Sequence, residues 1–369
     1  MRALVNCDNL SNLGISFITT LQNMLITHCV EKGEKGDVTL SKKRIGIFGG
    51  AGYIGSSIAN LLKSKFDVVI LDVKEPSGLQ DIDFQKCDIR KSKEVANSIS
   101  DLDVVIDAAI IQIPAINEQK RLGYEVNYVG TQNICEAVHK NSRTKGFILT
   151  GSWHTIGERK LAGLINEEFG FRPDMVEERA RLYALSKIAQ ESIVRYYSEM
   201  SEKIFGIIRM GTVLGEGMPE KTAANLFIKN GLKGKPITPY KHSMYRPMLY
   251  VDILDVCKAY QAFVSKIIDG SMSKSNNSLD AIFNVYYNTP ITIKDLAVIV
   301  QEAIKVETRN VINPSIDIVD TKQPMMFTEN DKSRITVDIS KALRFLNLKN
   351  FRSPKESIED IVKRKLNNE

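Results

Sequence analysis

Tyr183 and Lys187 stand four residues apart in Tyr183-Ala184-Leu185-Ser186-Lys187, a spacing that puts a phenol and an ammonium on one face of a helix. Of the 12 tyrosines, only Tyr183 has a basic residue at that distance. A free phenol gives up its proton at about pH 10, so a tyrosine that works as a base near neutrality needs a cation beside it. Lys187 supplies one, and Tyr183 could then take a proton from a hydroxyl while hydride leaves the same carbon. Ser152, in Thr150-Gly151-Ser152-Trp153-His154 directly after an apolar run, sits where its hydroxyl could share that hydrogen bond. Singly these residues read as a surface pair and a strand-end turn serine. Their order in the chain, behind a glycine cluster, makes them catalytic candidates.

That cluster is Gly49-Gly50-Ala51-Gly52-Tyr53-Ile54-Gly55. It satisfies G-x-G-x-x-G through Gly50, Gly52 and Gly55, and G-x-x-G-x-x-G through Gly49, Gly52 and Gly55. Glycines there let the chain turn tightly, bring the backbone up to a pyrophosphate and pack the following helix close to its strand. Asp72 stands at the end of the next apolar run. A carboxylate in that place hydrogen-bonds ribose hydroxyls and repels the extra phosphate of NADP, so the expected cofactor is NAD. Lys74 is a mild signal the other way.

The elements that must position these groups follow from the apolar pattern. Ile45–Phe48, Val68–Leu71, Val104–Ala109, Gly146–Leu149 and Ile204–Ile208 are short apolar runs, and they alternate with helical stripes through Ile54, Ile58 and Leu61, around 122–140 and over 177–199. The expected fold is α/β, a doubly wound parallel sheet with a smaller C-terminal α/β lobe. Residues 43–215 are expected to form the NAD-binding domain with the catalytic residues. Residues 216–369 are expected to form mainly a substrate lobe, with some segments returning to the first domain: helices near 221–232, 252–267, 293–306 and 354–366, a strand at Ile282–Tyr286, and a solvated loop at Asp269–Asp280.

With 369 residues, 43% hydrophobic and 25% charged, the chain has globular composition. A net charge of +6 without a basic block argues against nucleic acid as a partner. Cys7, Cys29, Cys87, Cys135 and Cys257 are odd in number and form no Cys-x-x-Cys pair, which points to a reducing, cytoplasmic setting and to no metal site. Residues 1–42 stand ahead of the fold. Asn9 to Val30 carries no Asp, Glu, Lys or Arg, but Asn12, Gln22, Asn23 and His28 interrupt it and it falls short of a membrane span of about 20 apolar residues. It reads as a poorly ordered extension, with a short amphipathic helix through Leu10, Leu13, Phe17, Leu21 and Met24 as the alternative.

Together these residues resemble the extended short-chain dehydrogenase/reductase superfamily and, within it, the NAD-dependent nucleotide-sugar epimerase/dehydratase group. The resemblance runs over residues 43–368. It includes Asp88-Ile89-Arg90, Asp107-Ala108-Ala109, Asn127-Tyr128-Val129-Gly130-Thr131, Glu191 and Arg209-Met210-Gly211-Thr212. It implies that Gly49, Gly52, Tyr53, Ile54, Gly55, Asp72, Asp88, Ile89, Ala108, Ala109, Asn127, Tyr183, Lys187 and Gly211 hold the cofactor, and that Tyr183, Lys187 and Ser152 are catalytic. Arg246-Pro247-Met248-Leu249-Tyr250-Val251-Asp252 is similar to the segment that carries the nucleotide-binding arginine and Asn225-Leu226 to the pair at the start of a substrate-side helix, which implies that Asn225 and Arg246 join Ser152 and His154 in binding substrate. Arg246 would pair with a diphosphate.

The family's dehydratases carry an Asp-Glu pair where Trp153 and His154 stand, and its uronate decarboxylases a glutamate at His154. Elimination therefore leaves a nucleotide-sugar 4-epimerase as the implied activity. Ser152-Trp153-His154-Thr155-Ile156-Gly157 is also similar to uronate dehydrogenases, which oxidise a free sugar acid and release NADH, and that is the alternative. A non-catalytic NAD-sensing protein is a third, opposed by the intact Ser152, Tyr183 and Lys187. The segment 160–182 is a candidate lid. By the same resemblance, the helices near 122–140 and 177–199 imply a homodimer.

Overall fold

Each of those apolar runs contributes a strand. The computed structural model describes residues 42–367, so the expectations for the N-terminal extension lie outside the described residues. Its sheet has seven parallel strands: β1 (Arg44–Phe48), β2 (Asp67–Asp72), β3 (Asp83–Lys86), β4 (Val104–Asp107), β5 (Gly146–Ser152), β6 (Ile204–Met210) and β7 (Ile282–Val285). Their order across the sheet is β7-β6-β5-β4-β1-β2-β3. The direction of winding reverses between β1 and β4, where Phe48 lies in register with Asp107. At such a point the two crossovers leave on opposite faces and open a crevice at the carboxyl ends of the strands.

Both faces of the sheet are covered, which is why the strands read as unbroken apolar runs. The two-residue alternation sends Ile45, Ile47, Val104 and Ile106 into one core and Phe48, Val69, Leu71 and Val105 into the other. Helix α1 (Tyr53–Leu62) follows β1, and α2 (Ser92–Ser98), α3 (Thr131–Lys140) and α4 (Arg181–Met200) come before β6. The later helices are α5 (Ala223–Leu232), α6 (Ile253–Asp269), α7 (Ile293–Glu307) and α8 (Pro354–Asn367). α6 packs on α1, and α3 lies between α2 and α4. α7 packs with α5 and α8. Two pieces of the second half thus return to the first: β7 completes the sheet and α6 covers one face of it.

Three features differ from the sequence expectation. β3 is an edge strand of sequence DFQK with no buried residue, so it has no apolar run to betray it. The helix expected over 122–140 is in pieces: Lys120–Tyr124, a π-turn Glu125–Gly130 and then α3. The candidate lid carries a short strand, Gly163–Ile165, that pairs in parallel with Ile335–Val337 and is thereby tied to the C-terminal part of the chain.

Candidate active site

The crevice at the strand ends is a cavity of about 870 Å³, within the usual range of about 300–1,000 Å³ for small-molecule sites. At one end the chain leaves β1 through Gly49, whose φ of +71° only glycine adopts without strain. A Cβ there would stand 2.5 Å from the backbone nitrogen of Ala109, so the turn lies directly on the Ala108–Ala109 wall. Gly55 is as tightly set, because its Cβ would meet the Gly49 carbonyl oxygen at 2.4 Å. The first turn of α1 has no acidic residue, and no side chain caps its N-terminus. Its free N–H groups therefore face the cavity as an anion seat.

Asp72 closes this end. Its carboxylate accepts the Ala51 N–H at 3.1 Å and the Lys74 N–H at 3.2 Å, which fixes it on the cavity wall with lone pairs to spare for hydroxyl donors. Asp88 and Ile89 continue the wall. Arg90 holds the Asp88 carboxylate at 2.6 Å, and that hydrogen bond keeps its pKa below the usual carboxylate value. Tyr53, Ile54, Gly52 and Gly211 also line the cavity. An uncapped helix N-terminus, glycines where any Cβ would collide, and a carboxylate at the second strand end form a cradle that an extended dinucleotide such as NAD fits.

The other end holds the reactive groups. Tyr183 lies in the first turn of α4 and Lys187 one turn later, and both open on the cavity with Ser152 and His154 from the end of β5. The Lys187 ammonium is 6.0 Å from the centre of the Tyr183 ring and donates to the Thr150 carbonyl at 2.7 Å. Burial pushes the Lys187 pKa down to about 8, against the pull of the Asp107 carboxylate. Burial raises that of Tyr183, and a hydrogen bond with Ser152 draws it back. The His154 ring stands edge-on to Tyr183, centroids 5.5 Å apart, and the Ser152 hydroxyl is 3.3 Å from its Nδ1. Burial lowers the His154 pKa to about 3, with the charges of Arg246 and Arg179 adding to the shift, so the imidazole is neutral.

Asn127, Asn225 and Arg246 are not on the wall of this cavity. Asn127 is fully buried in the π-turn, where its amide is spent from behind: it accepts the Ile111 N–H at 2.8 Å and donates to the Ile111 carbonyl and to the Ser186 hydroxyl. Ser186 in turn donates to the Tyr183 carbonyl at 2.8 Å, so Asn127 braces the turn that carries Tyr183. Asn225 spends its amide on the Met218 carbonyl at 2.9 Å. Arg246 is largely buried and paired with Glu177, with Glu158 at 3.8 Å. Arg179 grips the other Glu177 oxygen at 2.6 Å. Burial raises the Glu177 pKa but the two arginines outweigh it, whereas burial prevails at Glu158 and raises its pKa.

Glu158 and Glu177 are site-region groups that sequence reasoning did not assign to the site, and Asp107 entered that reasoning without a role. Glu158 carries no local mark, and Glu177 with Arg179 two residues on reads as part of a solvated charged run, since the partner that both glutamates share, Arg246, lies 69 residues beyond Glu177. Asp107 was legible only as part of a strand-end motif. The acidic side chains on the cavity wall, Asp72, Glu75 and Asp88, all belong to the glycine-turn end. The Tyr183 end offers a phenol, an ammonium, a hydroxyl and a neutral imidazole, a set suited to moving a proton on and off a hydroxyl.

The sequence model of the NAD dependent epimerase/dehydratase family matches residues 45–274. Among known proteins, the chain is 28% identical over 193 residues to UDP-glucuronate 4-epimerase 5 of Arabidopsis thaliana, covering 51% of this chain and 43% of that protein. It is 23% identical over 286 residues to UDP-glucuronate 4-epimerase 4 of the same plant, covering 71% and 64%. The matches thus span less than two thirds of these relatives' length. The structure of Thermus thermophilus UDP-glucose 4-epimerase in complex with NAD superposes with a TM-score of 0.68 at 22% identity, covering 86% of this chain and 97% of that one. That likeness is one of fold.

Proposed function

The chain belongs to the NAD-dependent epimerase/dehydratase family, and from that membership we propose that it is an NAD-dependent nucleotide-sugar epimerase working through a transient 4-keto sugar. The observation that carries the reading is the meeting of Ser152, His154, Tyr183 and Lys187 at one end of a cavity whose other end is the glycine turn and Asp72. The relatives named as 4-epimerases support the same choice. So does the absence of a carboxylate at Trp153 or His154, or elsewhere on the described wall beside Tyr183, since dehydration of a sugar needs an acid and a base there. The paired state of Glu158 and Glu177 keeps both from that task.

Bound NAD would supply the acceptor and later the donor of the hydride. The residues of the chain do the rest. The Tyr183 oxygen takes the proton of the sugar 4-hydroxyl and returns it to the 4-keto oxygen once the sugar has turned. Ser152 donates to that oxygen at both stages, and Lys187 favours the phenolate by its charge. Neutral His154 adds a hydrogen-bond partner without a second positive charge. Asp72 would hold the adenosine ribose, and the N–H groups of α1 would hold the diphosphate of the cofactor. Arg246 and Asn225 are the proposed contacts to the substrate's nucleotide, and Arg246 reaches a diphosphate only by giving up part of its hold on Glu177.

A homodimer is proposed as the working form, packed through α4 and the helical stretch before α3, where Tyr196, Met200 and Tyr124 are exposed. A cytoplasmic setting suits the buried, unpaired thiols of Cys87, Cys135 and Cys257. The deciding assay incubates the protein with NAD and a panel of UDP-sugars, GDP-sugars and free uronic acids, following NADH absorbance and separating the products. Interconversion of two sugars without net NADH is the expected result. Stoichiometric NADH from a free uronate would replace the epimerase by a dehydrogenase.

A further inference from the structure

Asp107 is a buried carboxylate for which the proposed cycle has no use. It ends β4 directly before the Ala108–Ala109 wall and is 1% exposed. With Val105, it turns to the sheet face covered by α3 and α4. There Thr131 at the start of α3 donates to its Oδ2 at 2.9 Å, and the Ala109 N–H donates to its Oδ1 at 3.0 Å. Gln190 of α4 donates to the Thr131 hydroxyl at 2.8 Å, so the carboxylate is held by a chain that ends on the same helix as Tyr183 and Lys187. Asp107 lies in register with Leu149 of β5, and the next residue, Thr150, carries the carbonyl that receives the Lys187 ammonium.

Lys187 from α4, Tyr260 from α6 and Cys135 from α3 are the titratable groups acting on or feeling Asp107. Burial pushes the tyrosine and the thiol upward, so both are neutral near pH 7 and Lys187 is the one cation among them. Its ammonium donates to the neutral Thr150 carbonyl, and a buried ammonium so placed tends to shed its proton. An opposite charge near it counters that tendency.

We propose that Asp107 is a positioning residue for the catalytic pair: clamped by Thr131 and the Ala109 N–H, its carboxylate keeps Lys187 charged while the Thr150 carbonyl aims it at Tyr183. This rests on the reading of Tyr183 and Lys187 as the proton-transfer pair. Burial raises the Asp107 pKa to about 6, and that of Lys187 is about 8, so both charges coexist between those values. Activity then falls on the acid side as Asp107 protonates and on the alkaline side as Lys187 loses its proton.

The test uses protein labelled with carbon-13 at its lysines, with the Lys187 resonance assigned by its loss in Lys187→Met. In the free enzyme that resonance is expected to titrate near pH 8. In Asp107→Asn its midpoint should fall by about one unit, the smaller end of the effect of a neighbouring opposite charge. The alkaline limb of kcat should fall with it while the KM for the sugar stays nearly constant. Thr131→Val keeps the carboxylate and removes one donor to it, so the acid limb should rise; this variant carries the test if Asp107→Asn does not fold. A Lys187 midpoint unmoved in Asp107→Asn, or an acid limb unmoved in Thr131→Val where that is the variant that folds, overturns the proposal. A moved lysine midpoint in a protein that epimerises no sugar would leave the role of Asp107 standing and remove the substrate reading instead.

Discussion

Gly52→Ala separates the part of the glycine turn that folds the protein from the part that binds cofactor. A Cβ at Gly52 would lie 3.3 Å from the Gly49 carbonyl oxygen, a snug distance that a small shift relieves, and its φ of −78° suits any residue. Gly55 is different: a Cβ there, at 2.4 Å from the same oxygen, must push the turn away by about 1 Å to reach ordinary contact at 3.4 Å. In the free protein Gly52→Ala should therefore cost only the difference between glycine and alanine at a helix N-cap, about 1 kcal/mol. Gly55→Ala should cost about 1–3 kcal/mol as overpacking. Toward NAD the order changes. The methyl group that Gly52→Ala adds stands where the diphosphate approaches the first N–H groups of α1, and losing one charge-assisted hydrogen bond there, about 1.5–3 kcal/mol, weakens binding about 10- to 150-fold. Thermal unfolding and calorimetric titration with NAD read the two effects apart. Binding within about threefold of wild type in a normally stable Gly52→Ala protein would refute the placement of the diphosphate at the start of α1.

Tyr183→Phe should lower turnover by at least about 10²–10⁴-fold, the usual worth of a positioned acid–base group, while NAD still binds; turnover near the wild-type rate would remove Tyr183 as the base. Glu191 holds Arg209 at 2.5 and 3.0 Å with both side chains almost wholly buried, so Glu191→Gln strands a guanidinium and should cost about 3–5 kcal/mol by urea unfolding; less than about 1 kcal/mol would contradict it. The His154 pKa of about 3 lies below its unfolded value of about 6.5, so its contribution to stability is full above about pH 6.5 and is lost as pH falls toward 3. His154→Gln should thus gain on wild type as pH drops from about 7.5 to about 5, and parallel stability curves would count against an imidazole held neutral by the fold. Arg246→Met leaves Glu158 beside a Glu177 held only by Arg179 and should cost about 3 kcal/mol at neutral pH, with part recovered as the pH is lowered and Glu158, whose pKa burial raises, takes up a proton. A loss that does not change with pH would mean that packing, not charge, is what the arginine supplies.

The groups that the sequence reveals are those whose partners are local. Gly49, Gly52 and Gly55 are spaced by the demands of one turn, and Tyr183 and Lys187 by one turn of one helix, so counting along the chain finds them. Asp72 is found because the next strand must bring its end beside that turn. Arg246 shows the limit of the method. Its flanking residues match a nucleotide-binding segment, but its charge is met by Glu177 and Glu158, and only the folded chain brings residues so far apart together. For Asn127 the motif points to the right neighbourhood, but the residue is fully buried in the π-turn with its amide set against Ile111 and Ser186. The edge strand β3 escapes for a related reason, since an exposed DFQK carries no burial pattern.

What the site does with charge follows from how far its groups are withdrawn from water: Lys187 and Asp107 are buried, and Tyr183 and His154 are part-buried on the cavity wall. Burial raises the pKa of Tyr183, lowers those of Lys187 and His154, and raises that of Asp107, so every group near the reacting end is pushed toward its neutral form. A phenol in that state is a poor base. Two positive charges would reverse it: the Lys187 ammonium, which Asp107 is proposed to keep charged, and the oxidised nicotinamide ring, whose charge would arrive only with the cofactor. The first is built into the fold and the second is not. In the proposed cycle Tyr183 then removes a proton effectively only when an acceptor for the hydride is bound beside it, which would tie proton loss from the substrate to its oxidation.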